Sequence, residues 1–402
     1  MLFSSPIFLF WFLPITLLVY YAMPVRWAKN LFLSFASVFF YAWGEPVFVF
    51  IMLGSVLVSY TAGILIDRYR HAGQVRKWVL VFVVFWHLSI FFVFKYWDFF
   101  FSNWSALFPH YRVPLLHIGL PIGISFFTFQ SMSYVFDVYR SEESNFVQKN
   151  YFHVLLYISL FPQLIAGPIV RYQDIAHEIN HRRESFSDFA AGITRFLCGL
   201  SKKVLIANQL AVVADLAFQQ SPADIGTAFS WLAIVSYTLQ IYFDFSAYSD
   251  MAIGLGHVFG FHFLENFRYP YASRSIAEAW RRWHISLGNW FRDYVYFPLG
   301  GSRNGKYRTL RNIFIVWLFT GIWHGASWTF ILWGLFHFTF ILLEKLFEKK
   351  TDHIETATWM RFVRANRGMN PGVWCFKRMI QSVYVFLVFA LSFVFFRSPS
   401  VD

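Results

Sequence analysis

Two histidines stand where an imidazole could move a proton. His284 lies within Trp280-Arg-Arg-Trp-His-Ile-Ser-Leu-Gly-Asn-Trp-Phe-Arg-Asp-Tyr294, and His324 within Thr320-Gly-Ile-Trp-His-Gly-Ala-Ser327. A hydroxyl is a poor nucleophile until a base removes its proton, and histidine, with an ordinary pKa of about 6.5, suits that task. At about 100° per residue, Trp280, Trp283, Leu287, Trp290, Phe291 and Tyr294 share one helix face, while Arg281, Arg282, Asn289, Arg292 and Asp293 share the other. The pattern predicts one interfacial amphipathic helix, with aromatics in the headgroup zone and guanidiniums outward. His284 falls at the edge of its apolar face, either as a working group or as a membrane-anchoring residue. His324 belongs to the uncharged run 312–343. A continuous helix of that length would reach about 48 Å, so a break or steep tilt is expected near the small residues around Gly325. Counted from Ile313, His324 would stand about 16 Å along, near mid-bilayer, where an ionisable side chain needs a cavity or a partner. Asp244 and Asp250, in Tyr242-Phe-Asp-Phe-Ser-Ala-Tyr-Ser-Asp250, could bind a cation, relay a proton or orient a histidine. Equally, each could cap a helix end.

Other motif matches carry less. His177-Glu-Ile-Asn-His181 fits the zinc pattern of two histidines one turn apart, but Arg182, Arg183 and Glu184 follow at once and no third ligand is apparent. A solvated polar loop without metal is expected there. Gly300 to Lys306 matches a phosphate-binding loop, yet Tyr307 replaces the magnesium-binding Ser or Thr. Gly254 and Gly256 begin a spacing one residue too long for a dinucleotide fingerprint. Cys198 and Cys375 have no partner motif and read as packed thiols. They lie outside the histidine segments, which argues against a cysteine acyl-enzyme.

The elements that must position these groups follow from composition. Of 402 residues, 57% are hydrophobic and only 14% charged, with a mean hydropathy of +0.47. A soluble domain carries about 25% charged residues, so several water-covered globules are excluded. Aromatic residues make up 23%, which suits a lipid face with two interface belts. The net charge of +12 reads as Lys and Arg in cytoplasmic loops facing anionic lipid rather than as a nucleic-acid surface. Uncharged runs at 1–25, 30–44, 47–66, 78–94, 113–136, 150–170, 225–243, 251–264, 312–343 and 379–396, with a weaker region at 189–214, predict about ten spans. The runs are apolar all round, so the fold class is an all-α polytopic bundle and not a barrel. No basic region precedes the first run, as a cleavable signal would require. Arg26, Lys29, Arg68, Arg70, Arg76 and Lys77 place loops 24–29 and 67–77 in the cytoplasm and the N-terminus outside. The basic stretches 268–311 and 345–378 read as cytoplasmic too.

These residues together resemble the membrane-bound O-acyltransferase family. The likeness rests on Gln240-Ile-Tyr-Phe-Asp-Phe-Ser-Ala-Tyr-Ser-Asp-Met-Ala-Ile-Gly-Leu-Gly256, Glu265-Asn-Phe267, Trp280 to Tyr294, Pro298-Leu-Gly-Gly-Ser-Arg303 and Thr320 to Trp328. The opening Met1-Leu-Phe-Ser-Ser-Pro6 and the stretch Pro162 to Pro168 add to it. The resemblance implies a single domain over 1–402, with N-terminal spans at 1–230 and a motif-bearing core at 231–345. A basic loop and last span follow at 346–402, where relatives continue for a further span or more. It implies a central funnel, a cytoplasmic thioester donor such as acetyl-CoA, no bound cofactor, and delivery of the acyl group to a hydroxyl across the bacterial inner membrane. His324 matches the family's catalytic histidine and His284 its second one. Trp323, Trp280, Arg281, Arg282, Asp244 and Asp250 are supporting or channel candidates. Expected partners are membrane lipid, periplasmic acetyl-accepting proteins and an exported polysaccharide such as alginate, with peptidoglycan or another exopolysaccharide as alternatives. A proton-coupled transporter of an acylated intermediate is the rival class; internal symmetry would favour it, and no repeat is visible.

Overall fold

The computed structural model describes residues 1–141, 146–220, 225–347 and 371–398. Most of the basic stretch expected at 345–378 lies outside the described residues. Within them the regular structure is helical and there is no strand. This agrees with runs that are apolar on every side. The helices longer than one or two turns are α1 (Phe8–Ala22), α2 (Arg26–Gly44), α3 (Val49–Arg68), α4 (Gly73–Leu107), α5 (Ile124–Arg140), α6 (Tyr151–Ser159), α7 (Tyr172–His181), α8 (Phe186–Phe218), α9 (Thr227–Val258), α12 (Lys306–His324), α13 (Trp328–Phe347) and α14 (Pro371–Arg397); among the shorter ones are α10 (Ile276–Arg282) and α11 (Ile285–Phe291).

Among the described residues five segments are long and apolar enough to cross a bilayer: α3, α4, α8, α13 and Cys375–Arg397 of α14. Several runs expected as spans take another form. Residues 225–243 and 251–264 are not separate spans; through Val258 they form the one helix α9, because no Gly or Pro interrupts 244–250. The 150–170 run breaks at Leu160, which leaves the helix two residues ahead of Pro162, a residue that cannot donate to the preceding turn and sits in the first turn of the short helix Phe161–Leu164. In 113–136 helix begins only at Ile124, after Gly123 turns the chain at φ 77°. Cys198 and Cys375 are both exposed, which corrects their reading as packed thiols.

The chain divides into two compact units. The first holds Met1–Val212 and Leu239–Asn266. In it α8 meets α9 through small residues: a Cβ added at Gly192 would stand 2.5 Å from the Gly254 carbonyl, and one at Gly199 2.7 Å from that of Ala247. Close backbone approach of this kind is how helices associate where lipid is as apolar as the side chains. A polar hub ties α1 and α2 to the loop after α7. Glu184 accepts hydrogen bonds from Arg26 and from the Tyr20 hydroxyl at 2.6 Å, with the Lys29 ammonium 3.5 Å away. Arg182, wholly buried, donates to the carbonyls of Phe259 and Ile179. Burial raises the Glu184 carboxyl, but the Arg26 and Tyr20 bonds and the Arg26 and Lys29 charges outweigh it and hold it down at about 2.

The second unit holds Val213–Thr238 and Phe267–Asp402. Its centre is the hairpin of α12 and α13. A Cβ on Gly321 would lie 2.6 Å from the Phe330 carbonyl, and one on Gly334 2.6 Å from that of Trp317. These two glycines allow the hairpin to close. The uncharged run 312–343 therefore breaks at Gly325-Ala326-Ser327, where its length demanded a break.

Candidate active site

The amphipathic helix expected over 280–294 is two short helices, α10 and α11, each too short to span a membrane, followed by a π-helical turn at Arg292–Tyr296. Trp283 is extended and His284 takes the left-handed conformation at φ 43°. Local caps and pairs hold α10 in place. Ser275 accepts from the Glu278 amide, and the Glu344 carboxylate accepts from the amides of Ile276 at 2.6 Å and Ala277 at 3.0 Å. That satisfies the exposed donors of a helix start and places negative charge at its positive end. Burial tends to raise the Glu278 carboxyl, but the Arg274 amide and the charges of Arg282 and Arg274 keep it below its ordinary value. The aromatic face consequently turns into protein: Trp283, Leu287, Trp290, Phe291 and Tyr294 are all buried. Arg281 and Arg292 are exposed, whereas Arg282 reaches back 2.6 Å to Glu278. The period was helical, but the break at Trp283–His284 redirects what each side chain meets.

That break delivers His284 to the interior, 2% exposed, with the Ser286 hydroxyl 3.4 Å from its Nδ1. Burial pushes its imidazole well below the ordinary histidine range, so the ring is neutral at pH 7. A left-handed non-glycine residue costs about 1–2 kcal/mol. It persists because the surrounding packing determines it, a condition that recurs at functional sites.

His324 is the last residue of α12, directly before the break at Gly325-Ala326-Ser327. The helix ends there because the chain must reverse into α13. His324 is half-buried, against the full burial of His284. Its ring centroid lies 4.9 Å from Trp323, 4.8 Å from Trp333 and 5.2 Å from Phe396. The Trp323 indole also faces His284, at 6.0 Å. The two histidines singled out in sequence thus pack against one indole, an arrangement that their separation along the chain does not announce.

A second layer was not singled out. Trp280, placed among the supporting candidates, donates from its indole Nε1 to Nδ1 of His337 at 3.2 Å. It packs edge-on against Trp317 and Trp333 and stacks on Phe389. Trp333 and His337 are one helical turn apart on α13, so they share a face. That spacing inside an uncharged run was the available signal for His337.

The carboxylate candidates belong to the first unit. Asp244 and Asp250 lie inside α9 and do not cap its ends. Lys203 reaches Asp244 at 2.6 Å, while Lys202 at 2.5 Å and Arg195 at 2.9 Å hold Asp250; Arg195 also binds Glu265 at 2.6 Å. Each carboxylate faces a cation from α8, as expected of charges among apolar helices. That geometry supplies fixed ion pairs, a weaker basis for proton coupling than unpaired acids. The 177–181 pattern lies on α7, so the loop expected there is helix. His177 and His181 are exposed with rings 4.8 Å apart, Glu178 is engaged by His262 at 2.8 Å, and no cluster of three metal-ligating side chains occurs among the described residues.

An all-helical membrane chain that gathers two histidines on one indole at a helix reversal has the makings of an intramembrane acid–base site. The model of the membrane-bound O-acyltransferase family matches residues 35–390, and the chain belongs to that family. It is thereby an O-acyltransferase. It is 41% identical to "Probable alginate O-acetylase AlgI" of Azotobacter vinelandii, over 100% of this chain and 76% of that protein. The Pseudomonas aeruginosa protein of the same name is also 41% identical, over 100% of this chain and 73% of its own length. A peptidoglycan O-acetyltransferase of Helicobacter pylori is 36% identical, over 84% of this chain and 69% of that protein.

Proposed function

We propose that the chain transfers acetyl groups from a cytoplasmic thioester, acetyl-CoA, towards hydroxyls of an exported polysaccharide, alginate in the first instance. The observation that carries this reading is the placing of His324: half-buried at the α12–α13 reversal, beside the indole it shares with His284. The alginate acceptor draws on the names of the relatives that are 41% identical. The Helicobacter relative makes peptidoglycan the alternative acceptor. The setting is the bacterial inner membrane, crossed about ten times around a central funnel with the N-terminus outside. Periplasmic proteins take the acetyl group on to the polymer.

In this reading His324 accepts the proton of the acceptor hydroxyl as its oxygen attacks the thioester carbonyl. The carbon–sulfur bond breaks, the ester carbon–oxygen bond forms, and the imidazolium returns its proton to the departing thiolate. His284, neutral and buried, orients a reactant or stabilises charge developing on the carbonyl oxygen. Half-burial suits the base, which must meet both reactants. Trp323 keeps the two rings in a common setting.

The test reconstitutes the full chain in vesicles, with labelled acetyl-CoA on one side and alginate or peptidoglycan fragments on the other. Label entering one polymer names the acceptor. Movement of an acetylated species without thioester turnover supports transport instead and overturns the enzyme reading.

A further inference from the structure

His337 is 0% exposed on α13. Around it stand Trp280 at 4.8 Å, Trp333 at 5.1 Å, Phe389 at 5.2 Å and Trp317 at 5.4 Å, centroid to centroid. This is an aromatic box, and phenylalanine would fill it without a polar atom. An indole nitrogen only donates, so the bond from Trp280 requires a lone pair on His337 Nδ1. The ring's one proton, when neutral, then sits on Nε2. Among the described residues that atom is buried without a hydrogen-bond partner. A buried donor left unmade is unfavourable, and packing alone would not select it. What histidine supplies here and phenylalanine does not is the acceptor that fixes the Trp280 indole.

The consequence of fixing Trp280 travels through contacts already described. Trp280 meets Trp333 edge-on at 5.4 Å and 81°, and Trp333 meets His324 edge-on at 4.8 Å and 78°. Trp333 is 1% exposed and has no room to turn independently. We propose that His337 is a positioning residue: its Nδ1 holds the Trp280 indole, and through Trp280 and Trp333 it sets the orientation of the His324 ring. The catalytic consequence rests on His324 being the base. The control of ring orientation does not.

Three variants of the full chain separate the bond from the packing. His337→Phe removes the acceptor and keeps a ring; Trp280→Phe removes the donor and keeps a ring; His337→Asn keeps an acceptor near the Nδ1 position. Two readouts are taken: steady-state acetyl transfer from acetyl-CoA, and the rate at which diethyl pyrocarbonate modifies the half-buried His324, mapped by mass spectrometry. Both Phe variants should lower kcat about tenfold with KM within about twofold, and the double variant should be no worse than either single, because one bond is removed in all three. His324 modification should change about threefold or more in the Phe variants, and His337→Asn should recover most of both readouts. Unchanged kcat and labelling in His337→Phe, or an Asn variant as impaired as Phe, would overturn the proposal. If His324→Ala turns over normally, the base assignment fails by itself, and the labelling rates still decide whether His337 positions the ring.

Discussion

The imidazole of His284 and the indole of Trp323 lie 6.0 Å apart at 65°, an edge-to-face contact between the α10–α11 break and the end of α12. His324 also lies against that indole, at 4.9 Å. Removing a general base typically costs about 10²–10⁴-fold in rate. His324→Ala should fall in that range at saturating donor, with expression and melting temperature unchanged. Retention of more than about a tenth of parent turnover would show that His324 is not the base. His284→Ala should also lose activity, and additionally lower the melting temperature, because its ring is fully enclosed.

Glu184 gives a pH-dependent stability with a definite sign. Its carboxyl is depressed from 4.5 to about 2 in the folded chain. The stabilisation is therefore complete above the unfolded value, declines as pH falls below it, and is lost through the folded one. Between pH 4.5 and 2 the parent melting temperature should drop more steeply than that of Glu184→Gln. At pH 7 the variant should be less stable by about 1–3 kcal/mol, since the half-buried Arg26 loses its charge-assisted hydrogen bonds to the carboxylate. Parallel melting curves across that window would remove Glu184 from the account.

Gly321→Ala places a methyl group against the Phe330 carbonyl, backbone that has little freedom to yield. Overpacking of this kind costs about 1–3 kcal/mol. Thermal unfolding in detergent should register it, and turnover should fall because the hairpin also sets His324. The comparison variant Gly288→Ala meets open space and should behave as parent.

Orientation is testable once the two exposed cysteines are replaced. Arg68→Cys, at the exposed end of α3, should resist an impermeant thiol reagent applied to intact cells and react after permeabilisation. Immediate reaction from outside would invert the topology.

Purified chain should carry no stoichiometric zinc at His177 and His181. Metal analysis that found it, lost on changing both histidines to Ala, would mean that the exposed face of α7 recruits a further ligand.

Hydropathy along the chain is enough to fix the solvent and the kind of backbone. Long uncharged runs admit helix and little else, because lipid satisfies no backbone hydrogen bond. The small residues around Gly325 marked where the 312–343 run breaks, and the two histidine segments supplied the candidate groups for acid–base chemistry. Packing between distant segments set what remains. Helical periodicity over 280–294 carries no information about a left-handed residue at His284, whose conformation is imposed by the elements packed around it. Composition could not show that Asp244 and Asp250 face Lys203, Lys202 and Arg195, since those cations come from another helix. Nor could it join Trp280 to His337, fifty-seven positions apart. Contacts between distant segments depend on which faces meet, and the hydropathy of either segment alone does not specify that.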